Sequence, residues 1–423
     1  MAAVFCFAGF VSYTDRLILS ALVDPIRGDL SITDSQISLL QGAAFAIVYV
    51  FSGLVLGRMA DRVHRLNLLL AGATLWCVGT ALCGLVGSFW QLFAARMLVG
   101  VGEAALAPAA VSMIADAFPP ARRGTAVSLF VMGTVVGGPG AIAVGGTMLG
   151  LAETGALSHW PILETLAPWR IVLVVVGIAG LIVPVLFLTL AEPVRRQRGS
   201  DVSIASVIRR FVLDRAVLAP LYVAMALLTI GDFGLLTWAP SVLSRRFGLA
   251  PAEVGMAFGL ITALTGVLGS LAGGFLSDVA ATRGKGLPAR MTVAWIASGA
   301  CLIGALLVAA PDVSLVLLGV GLWTFASAVA CIGGIVALQE FVPNEQRGVG
   351  MSLVAFCNIL LGLGFGPTLV AQVTERVYAD PASVGAAIAT VVVPAALLSL
   401  WLFVIARRAV TITAPRAAEL KEV

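Results

Sequence analysis

The stretch RMLVGVGEAALAPAA, residues 96–110, places two opposite charges in an otherwise apolar segment. Arg96 and Glu103 lie close to two helical turns apart, so on a helix they share one face at a separation of about 10 Å. Along a straight helix the two side chains cannot reach each other, and each therefore needs a partner on another element. The first apolar segment of the chain supplies two further charges, Asp15 and Arg16, within SYTDR.

The elements that carry these charges are predicted to be membrane-spanning helices. The chain has 423 residues, of which 60% are hydrophobic and 11% are charged. Soluble domains carry about 25% charged residues. The composition therefore predicts an all-α, multi-pass membrane protein. Its basic residues lie in loops between apolar segments, a distribution that does not favour nucleic acid as a partner.

Twelve apolar segments are long enough to span a bilayer, which takes about 20 residues each. The predicted spans are 2–26, 36–57, 66–87, 91–115, 124–150, 168–191, 214–240, 252–276, 290–310, 313–338, 348–374 and 384–406. With both termini in the cytoplasm, most of the 26 Lys and Arg residues fall in cytoplasmic loops, as the positive-inside rule requires. We therefore expect both termini to be cytoplasmic, and we expect the protein in the cell inner (plasma) membrane.

The sequence repeats once along its length. GRMAD after the second span recurs as GFLSD after the eighth, PPARRG before the fifth recurs as PNEQRG before the eleventh, and a Gly-Pro pair lies in both the fifth and the eleventh. Such a parallel repeat is typical of two bundles related by an axis along the membrane normal. We expect a six-helix bundle at 1–191, a cytoplasmic linker at 192–213 and a second six-helix bundle at 214–423.

GRMADRVHR, residues 57–65, resembles the signature Gly-x-x-x-Asp-Arg-x-Gly-Arg of the major facilitator superfamily, with His64 in place of the usual glycine. The resemblance extends over essentially the whole chain. It implies the major facilitator fold, transport by alternating access, and a cytoplasmic gate in which loop charges latch the two bundles. The gate residues are predicted to be Gly57, Asp61, Arg62, Arg65, Arg122, Arg123, Asp278 and Arg347.

SYTDR and RMLVGVGEAA are also similar to segments of the spinster-like branch of that superfamily, with Ser12 where asparagine is common. The branch is associated with export of sphingolipids, lysophospholipids and related amphiphiles, and its bacterial members with proton coupling. The resemblance therefore implies an amphiphilic, lipid-like substrate and a proton as the coupling ion.

In this fold the first and fourth spans line the central cavity, so we expect Asp15 to pair with Arg96 and to leave Glu103 deeper or nearer to the substrate. Gly100 and Gly102 are expected to let the first span pack closely enough for this pairing. Desolvation favours a protonated carboxyl and a nearby guanidinium favours a carboxylate. Asp15, Glu103 and Arg96 are therefore the predicted proton-coupling residues. In an alternative interpretation, Arg96 snorkels to the outer membrane surface.

Further side chains are predicted to line the substrate cavity. They are Arg16, Tyr13, Tyr49, Asp232, Trp238, Ser327 and Asn358. Arg16 either lines the pathway or bonds backbone carbonyls of a neighbouring helix. Asp232 holds the position in the second half that Asp15 holds in the first, whereas Val320 stands where Arg96 would be expected. This asymmetry suits an amphiphile whose polar head faces the first half.

Motifs for other chemistry are absent from the sequence. It contains no Gly-x4-Gly-Lys-[Ser/Thr] segment, no cluster of His and Cys, and no pairing of a nucleophile with a base inside a span. We therefore expect a protein that is not an enzyme, that needs no cofactor or metal, and that works as a monomer.

The sequence favours a proton-coupled secondary transporter of a sphingolipid-like or lysophospholipid-like substrate. Its expected partners are that substrate, protons and the membrane lipids. One alternative is a proton-linked transporter of a small organic anion or drug. An alternative of another class is a lipid scramblase or a non-transporting membrane sensor, which would work without a proton gradient.

Overall fold

The computed structural model describes residues 1–60, 62–155, 165–195, 214–283, 287–342 and 347–419. For residues 120, 121, 347–349, 352 and 412–419 only the main chain is described. Within these ranges every regular element is a helix and no strand occurs, which confirms the all-α prediction.

The helices follow one another with short connections. The α-helices are α1 (Ala2–Leu17), α2 (Val23–Leu30), α3 (Asp34–Gln41), α4 (Ala43–Ala60), α5 (Arg65–Cys83), α6 (Phe89–Glu103), α7 (Leu106–Ala117), α8 (Pro120–Glu153), α9 (Pro168–Gly180), α10 (Ile182–Phe187), α11 (Arg215–Phe247), α12 (Pro251–Arg283), α13 (Leu287–Leu307), α14 (Val313–Phe341), α15 (Arg347–Cys357), α16 (Gly364–Val373) and α17 (Val384–Glu419). Shorter turns of 3₁₀-helix cover Ile18–Ala21 and Pro381–Ser383, and π-helical turns cover Asn358–Leu363 and Thr374–Tyr378.

Within the described ranges, 12 helical segments are long and apolar enough to span a bilayer. They are Ala2–Ala21, Asp34–Ala60, Arg65–Cys83, Phe89–Ala117, Arg122–Glu153, Pro168–Phe187, Arg215–Phe247, Pro251–Arg283, Leu287–Leu307, Val313–Phe341, Leu353–Tyr378 and Pro381–Thr411. The predicted number and order of spans are therefore confirmed.

The first span ends earlier than the predicted boundary at residue 26. It stops at Ala21, and the separate short helix α2 begins at Val23. Pro25 explains the interruption, because its nitrogen has no hydrogen to donate to the carbonyl of Ala21, whereas proline fits the first turn of a new helix.

The fourth span is broken in its middle, between α6 and α7. The amide of Ala105 bonds the carbonyl of Gly102 at 3.3 Å, a 3₁₀-type contact that tightens the end of α6. Pro108 accounts for the break, because its ring clashes with the carbonyl four residues earlier, that of Ala104. Glu103 therefore stands at the end of a helix rather than in the middle of one.

The described fold divides into two compact units. The first unit comprises Met1–Gly199, Leu236–Ala263 and Glu375–Ser383, and the second comprises Ser200–Leu235, Leu264–Thr374 and Val384–Val423. The sequence-based division at 191 and 214 stays a prediction, and most of its linker, residues 196–213, lies outside the described residues. The cytoplasmic position of the termini also stays a prediction.

In the first unit, glycines of α8 set the position of α1. A side chain at Gly133 would overlap the carbonyl oxygen of Cys6, and a Cβ at Gly137 would lie 2.6 Å from the carbonyl oxygen of Phe10. Small residues allow such backbone contact between spanning helices. The C-terminal end of α1, which carries Asp15 and Arg16, is therefore held in place by the fifth span.

Candidate functional site

A buried ion pair joins the first and fourth spans. Arg16 donates to Oε2 of Glu103 from Nη2 at 2.8 Å and from Nε at 3.2 Å, and the Ser12 hydroxyl donates to the same oxygen at 2.9 Å. Neither charged residue is more than 2% exposed. The buried Oε1 of Glu103 has no hydrogen-bond partner among the described residues. The pair is therefore fully desolvated, and one carboxylate oxygen accepts all three contacts.

Three aromatic rings surround the Arg16 guanidinium. Its Cζ lies 4.4 Å from the centre of the Tyr13 ring, 4.6 Å from that of Phe45 and 4.8 Å from that of Tyr49. Contacts of this kind stabilise a cation by up to about 2 kcal/mol when it is desolvated. Phe45 is fully buried whereas both tyrosines remain half-buried, so the tyrosine side of the cage is the more open one.

Arg96 holds the ends of two helices rather than a carboxylate. Its Nη1 donates to the carbonyl of Asp15 at 3.1 Å, Nη2 to that of Arg16 at 2.9 Å, and Nε to that of Leu40 at 3.4 Å. These carbonyls lie at the C-terminal ends of α1 and α3, where backbone oxygens lack partners within the helix. A guanidinium there satisfies the free oxygens and also opposes the negative end of the helix dipole.

Asp15 is fully buried and has no ion pair among the residues that the structure describes. Neither of its carboxylate oxygens has a hydrogen-bond partner there, and the neighbouring Thr80 hydroxyl on α5 likewise has none. A buried charge without partners costs several kcal/mol. Asp15 is therefore the acidic group of this site that the surrounding protein satisfies least.

The predicted side-chain pair between Asp15 and Arg96 is therefore wrong. Asp15 and Arg16 are neighbours on α1 and project about 100° apart, so Arg96 reaches their carbonyls while the Arg16 side chain turns to Glu103. The alternative of a snorkelling Arg96 is also wrong, because this residue is buried. The two arginines thus exchange the roles that the sequence favoured for them.

The glycines before Glu103 pack against other helices than expected. A Cβ at Gly100 would lie 3.0 Å from the carbonyl oxygen of Phe45 on α4, and one at Gly102 would lie 2.6 Å from the amide nitrogen of Trp76 on α5. The expectation that they bring the first span close is wrong. Gly100 and Gly102 instead let the second and third spans approach α6.

In the second unit, Asp232 on α11 accepts a hydrogen bond at 2.8 Å from the indole nitrogen of Trp323 on α14. A Cβ at Gly231 would overlap the Trp323 ring, so glycine makes room for the indole. Ser327, one turn from Trp323, is buried, and its hydroxyl has no hydrogen-bond partner among the described residues. Asp232 is thus held by a neutral donor.

Asn358 lies at the start of a π-helical turn in the second unit. Its side-chain oxygen accepts a hydrogen bond at 3.1 Å from the hydroxyl of Thr229 on α11. Such turns are frequent at functional sites. The structure therefore keeps Asn358 near the helix that carries Asp232, and its part in a substrate cavity stays a prediction.

Trp238 belongs to the first unit and is fully buried. Its ring centre lies 5.4 Å from Cζ of Arg245, whose guanidinium binds both oxygens of Asp34 at 2.7 and 2.9 Å and an oxygen of Asp24 at 2.6 Å. The sequence analysis missed this ion-pair cluster, because the three charges come from loop regions far apart in sequence. The place of Trp238 in a substrate cavity stays a prediction.

Among the predicted gate residues, Arg65 makes the most contacts within the first unit. It is buried and donates to Asp116 at 2.5 Å, to Glu192 at 3.2 Å and to the carbonyl of Pro193 at 2.8 Å. His64 Nδ1 lies 2.7 Å from Glu192. Burial raises the pKa of the Glu192 carboxyl, but hydrogen bonds from main-chain amides and from Arg65, together with His64, hold that pKa below its usual value.

The remaining gate residues make fewer contacts. Arg62 and Arg122 are exposed, Arg123 donates to the carbonyl of Phe118 at 3.1 Å, and Asp278 accepts from Arg290 at 3.2 Å. Gly57 lies near the end of α4 with open space beside it. Asp61 and the side chain of Arg347 lie outside the described residues, so the latch between bundles stays a prediction.

Comparison with known proteins places this chain among membrane transporters. The sequence profile of the Major Facilitator Superfamily matches residues 5–367. A protein named MFS-type efflux pump from Mycolicibacterium smegmatis is 28% identical over 385 residues, 89% of this chain and 84% of that protein. Protein spinster of Drosophila melanogaster is 28% identical over 286 residues, 65% of this chain but only 45% of its own length.

The fold comparison agrees. A crystal structure described as a bacterial homolog to the human lysosomal transporter Spinster, in an inward-facing and occupied conformation, aligns with a TM-score of 0.79 at 24% identity. The alignment covers 98% of this chain and 96% of that one. With twelve spans, a repeated loop motif and a family profile over most of its length, the chain belongs to the major facilitator superfamily and is similar to the spinster proteins.

Proposed function

We propose that this protein is a proton-coupled secondary transporter that moves an amphiphilic, lipid-like substrate of the sphingolipid or lysophospholipid type by alternating access. Membership in the superfamily makes it a membrane transporter. Similarity to proteins named spinster supports a lipid-like substrate. The observation that carries the proposal is the buried Arg16–Glu103 pair beside Asp15.

The charge balance of this cluster explains how a proton and a substrate are coupled. Two acids, Asp15 and Glu103, formally balance two buried arginines, Arg16 and Arg96. A proton on either acid leaves one positive charge uncompensated in a desolvated site, which costs several kcal/mol. An anionic head group that binds Arg16 removes that cost, so protonation and head-group binding favour each other.

Glu103 and Arg16 form the switch in this mechanism. All contacts of Glu103 go to one oxygen, and the second oxygen has no hydrogen-bond partner in the described part of the chain. A proton on Glu103 weakens its attraction for Arg16 and releases the guanidinium for a phosphate, which it binds in a bidentate manner. Arg96 stays bound to the end of α1 and positions both residues.

The surroundings of Arg16 also suit an amphiphile. The tyrosines that flank it, Tyr13 and Tyr49, are half-buried. An aromatic ring of this kind has an apolar face for hydrocarbon and a polar hydroxyl for a head group. In this proposal the protein works as a monomer in the cell inner (plasma) membrane.

The test is uptake into proteoliposomes. Purified protein is reconstituted, and entry of a fluorescent lysophospholipid and of a radiolabelled sugar acid is followed with and without a proton gradient. We expect the gradient to accelerate lysophospholipid entry and to leave the sugar acid unaffected. Protein-free liposomes of the same lipid composition are the control. Lysophospholipid movement that ignores the gradient would indicate a scramblase instead.

The Mycolicibacterium relative favours a second candidate, namely proton-linked export of a small organic anion or drug. The name of that relative indicates efflux, and the buried Arg16 offers an anchor for an anion. The same proteoliposomes distinguish the two candidates, because the second requires gradient-driven movement of the small solute and none of the lysophospholipid.

A further inference from the structure

The second unit carries a surface cavity of about 530 Å³ that the transport mechanism does not use. It is lined by Trp295, Val404, Arg407, Arg408 and Thr411. Trp295 lies near the start of α13 and the other four lie near the end of the twelfth span on α17, two helices that pack against each other. The cavity therefore lies where two neighbouring spans reach the same membrane surface.

The polar groups of this cavity lack partners of their own. Arg407 and Arg408 are exposed, and neither forms an ion pair with an acid in the described part of the chain. The nearby Arg290, by contrast, pairs with Asp278 at 3.2 Å and with Glu340 at 3.0 Å. The indole nitrogen of Trp295 is buried without a hydrogen-bond partner among the described residues. The cavity thus offers two cations and one donor to a ligand.

One face of α17 continues from this cavity as an apolar stripe. Leu397, Trp401, Val404, Arg408 and Thr411 follow each other at spacings of three or four residues, so they lie along one side of the helix. Leu397 is 50% exposed and Trp401 57% exposed, which leaves the apolar part of the stripe open to a hydrocarbon chain. The stripe is apolar within the span and cationic at its end, which is the polarity of a phospholipid.

We propose that this cavity binds an anionic phospholipid of the surrounding membrane. Its phosphate lies between Arg407 and Arg408, which suit phosphate oxygens by geometry and charge. The Trp295 indole donates to the head group, and an acyl chain follows Leu397 and Trp401. Basic pockets between spanning helices on the cytoplasmic side bind anionic head groups in this way. This site is independent of the transported substrate.

Native mass spectrometry of the purified full-length protein tests the proposal. The probes are phosphatidylglycerol and phosphatidylcholine with identical acyl chains, titrated in the same detergent. We expect phosphatidylglycerol to bind more tightly, and Arg407→Gln and Arg408→Gln each to weaken it by roughly fivefold, the worth of one basic residue at a membrane surface. Trp295→Phe keeps the ring but removes the donor, and we expect a smaller loss.

Arg283→Gln is the matched control. Arg283 is an exposed arginine at the end of α12, also in the second unit, and it does not line the cavity. An equal loss of phosphatidylglycerol binding in this variant would show general surface attraction and overturn the proposal. Equal affinity of the unmodified protein for both lipids would overturn it as well, whether or not any variant folds.

Discussion

The two units hold their buried carboxyl groups in different ways. In the first unit Glu103 is paired with a guanidinium at 2.8 Å, and Asp15 has no hydrogen-bond partner among the described residues. In the second unit Asp232, which stands at the repeat position of Asp15, is bonded by the neutral indole of Trp323 at 2.8 Å. The repeat has thus preserved helices and an acidic position, whereas the paired buried charges are a property of the first unit alone.

This contrast locates the proposed coupling chemistry. A carboxylate that shares a guanidinium exchanges partners when it takes a proton, because its charge is what holds the arginine. A carboxyl bonded by a neutral indole loses much less on protonation. We therefore expect substitutions in the first unit to change both stability and coupling, and those in the second unit to change little.

Glu103→Gln is expected to have the largest effect. It leaves Arg16 buried without a counter-charge, and breaking a buried pair in this way costs about 3–5 kcal/mol. Proton-driven uptake of lysophospholipid should be lost as well. The measurements are the unfolding midpoint in detergent and gradient-driven uptake in proteoliposomes.

The double variant Arg16→Gln with Glu103→Gln is the control for this prediction. It removes both charges, so most of the lost stability should return while driven uptake stays absent. If the double variant is no more stable than Glu103→Gln alone, the two side chains are not energetically coupled as the 2.8 Å contact indicates.

Asp15→Asn is expected to abolish coupling without harming the fold. The carboxylate accepts no hydrogen bond from the described residues, so an amide of the same shape removes a buried charge and leaves no described donor unpaired. We expect an unfolding midpoint equal to or above that of the unmodified protein and no response of transport to a proton gradient. Normal gradient-driven transport by this variant would remove Asp15 from the mechanism.

Arg96→Gln is expected to lower stability while leaving gradient-driven transport measurable. The substitution removes a charged donor from the carbonyls of Asp15, Arg16 and Leu40. Lost charge-assisted hydrogen bonds to helix ends should cost about 2 kcal/mol. Arg96→Lys, which keeps the charge but not the fork of donors, should recover part of this stability. A variant of full stability that has lost its response to the gradient would make Arg96 part of the coupling itself.

The sequence predicted the spans well and the pairings poorly, for physical reasons. A span is defined by about 20 apolar residues, and this signal is local. The choice of Arg16 or Arg96 as the partner of a carboxylate depends on which face each helix presents, and adjacent residues differ by about 100°. The break that Pro108 causes after Glu103 is readable from the sequence, but the direction in which the freed side chain turns is not.

Asp232→Asn is expected to have the smallest effect. The amide oxygen of asparagine accepts the hydrogen bond from the Trp323 indole in place of the carboxylate, and no buried cation in the described part of the second unit loses a partner. We expect a change in stability of about 1 kcal/mol or less and gradient-driven uptake within about twofold of the unmodified protein. Trp323→Phe, which removes the donor, should destabilise the protein more than Asp232→Asn does. A loss of gradient response in Asp232→Asn would show that both units titrate, and the difference between them would then lie in the partners of their carboxyl groups and not in their function.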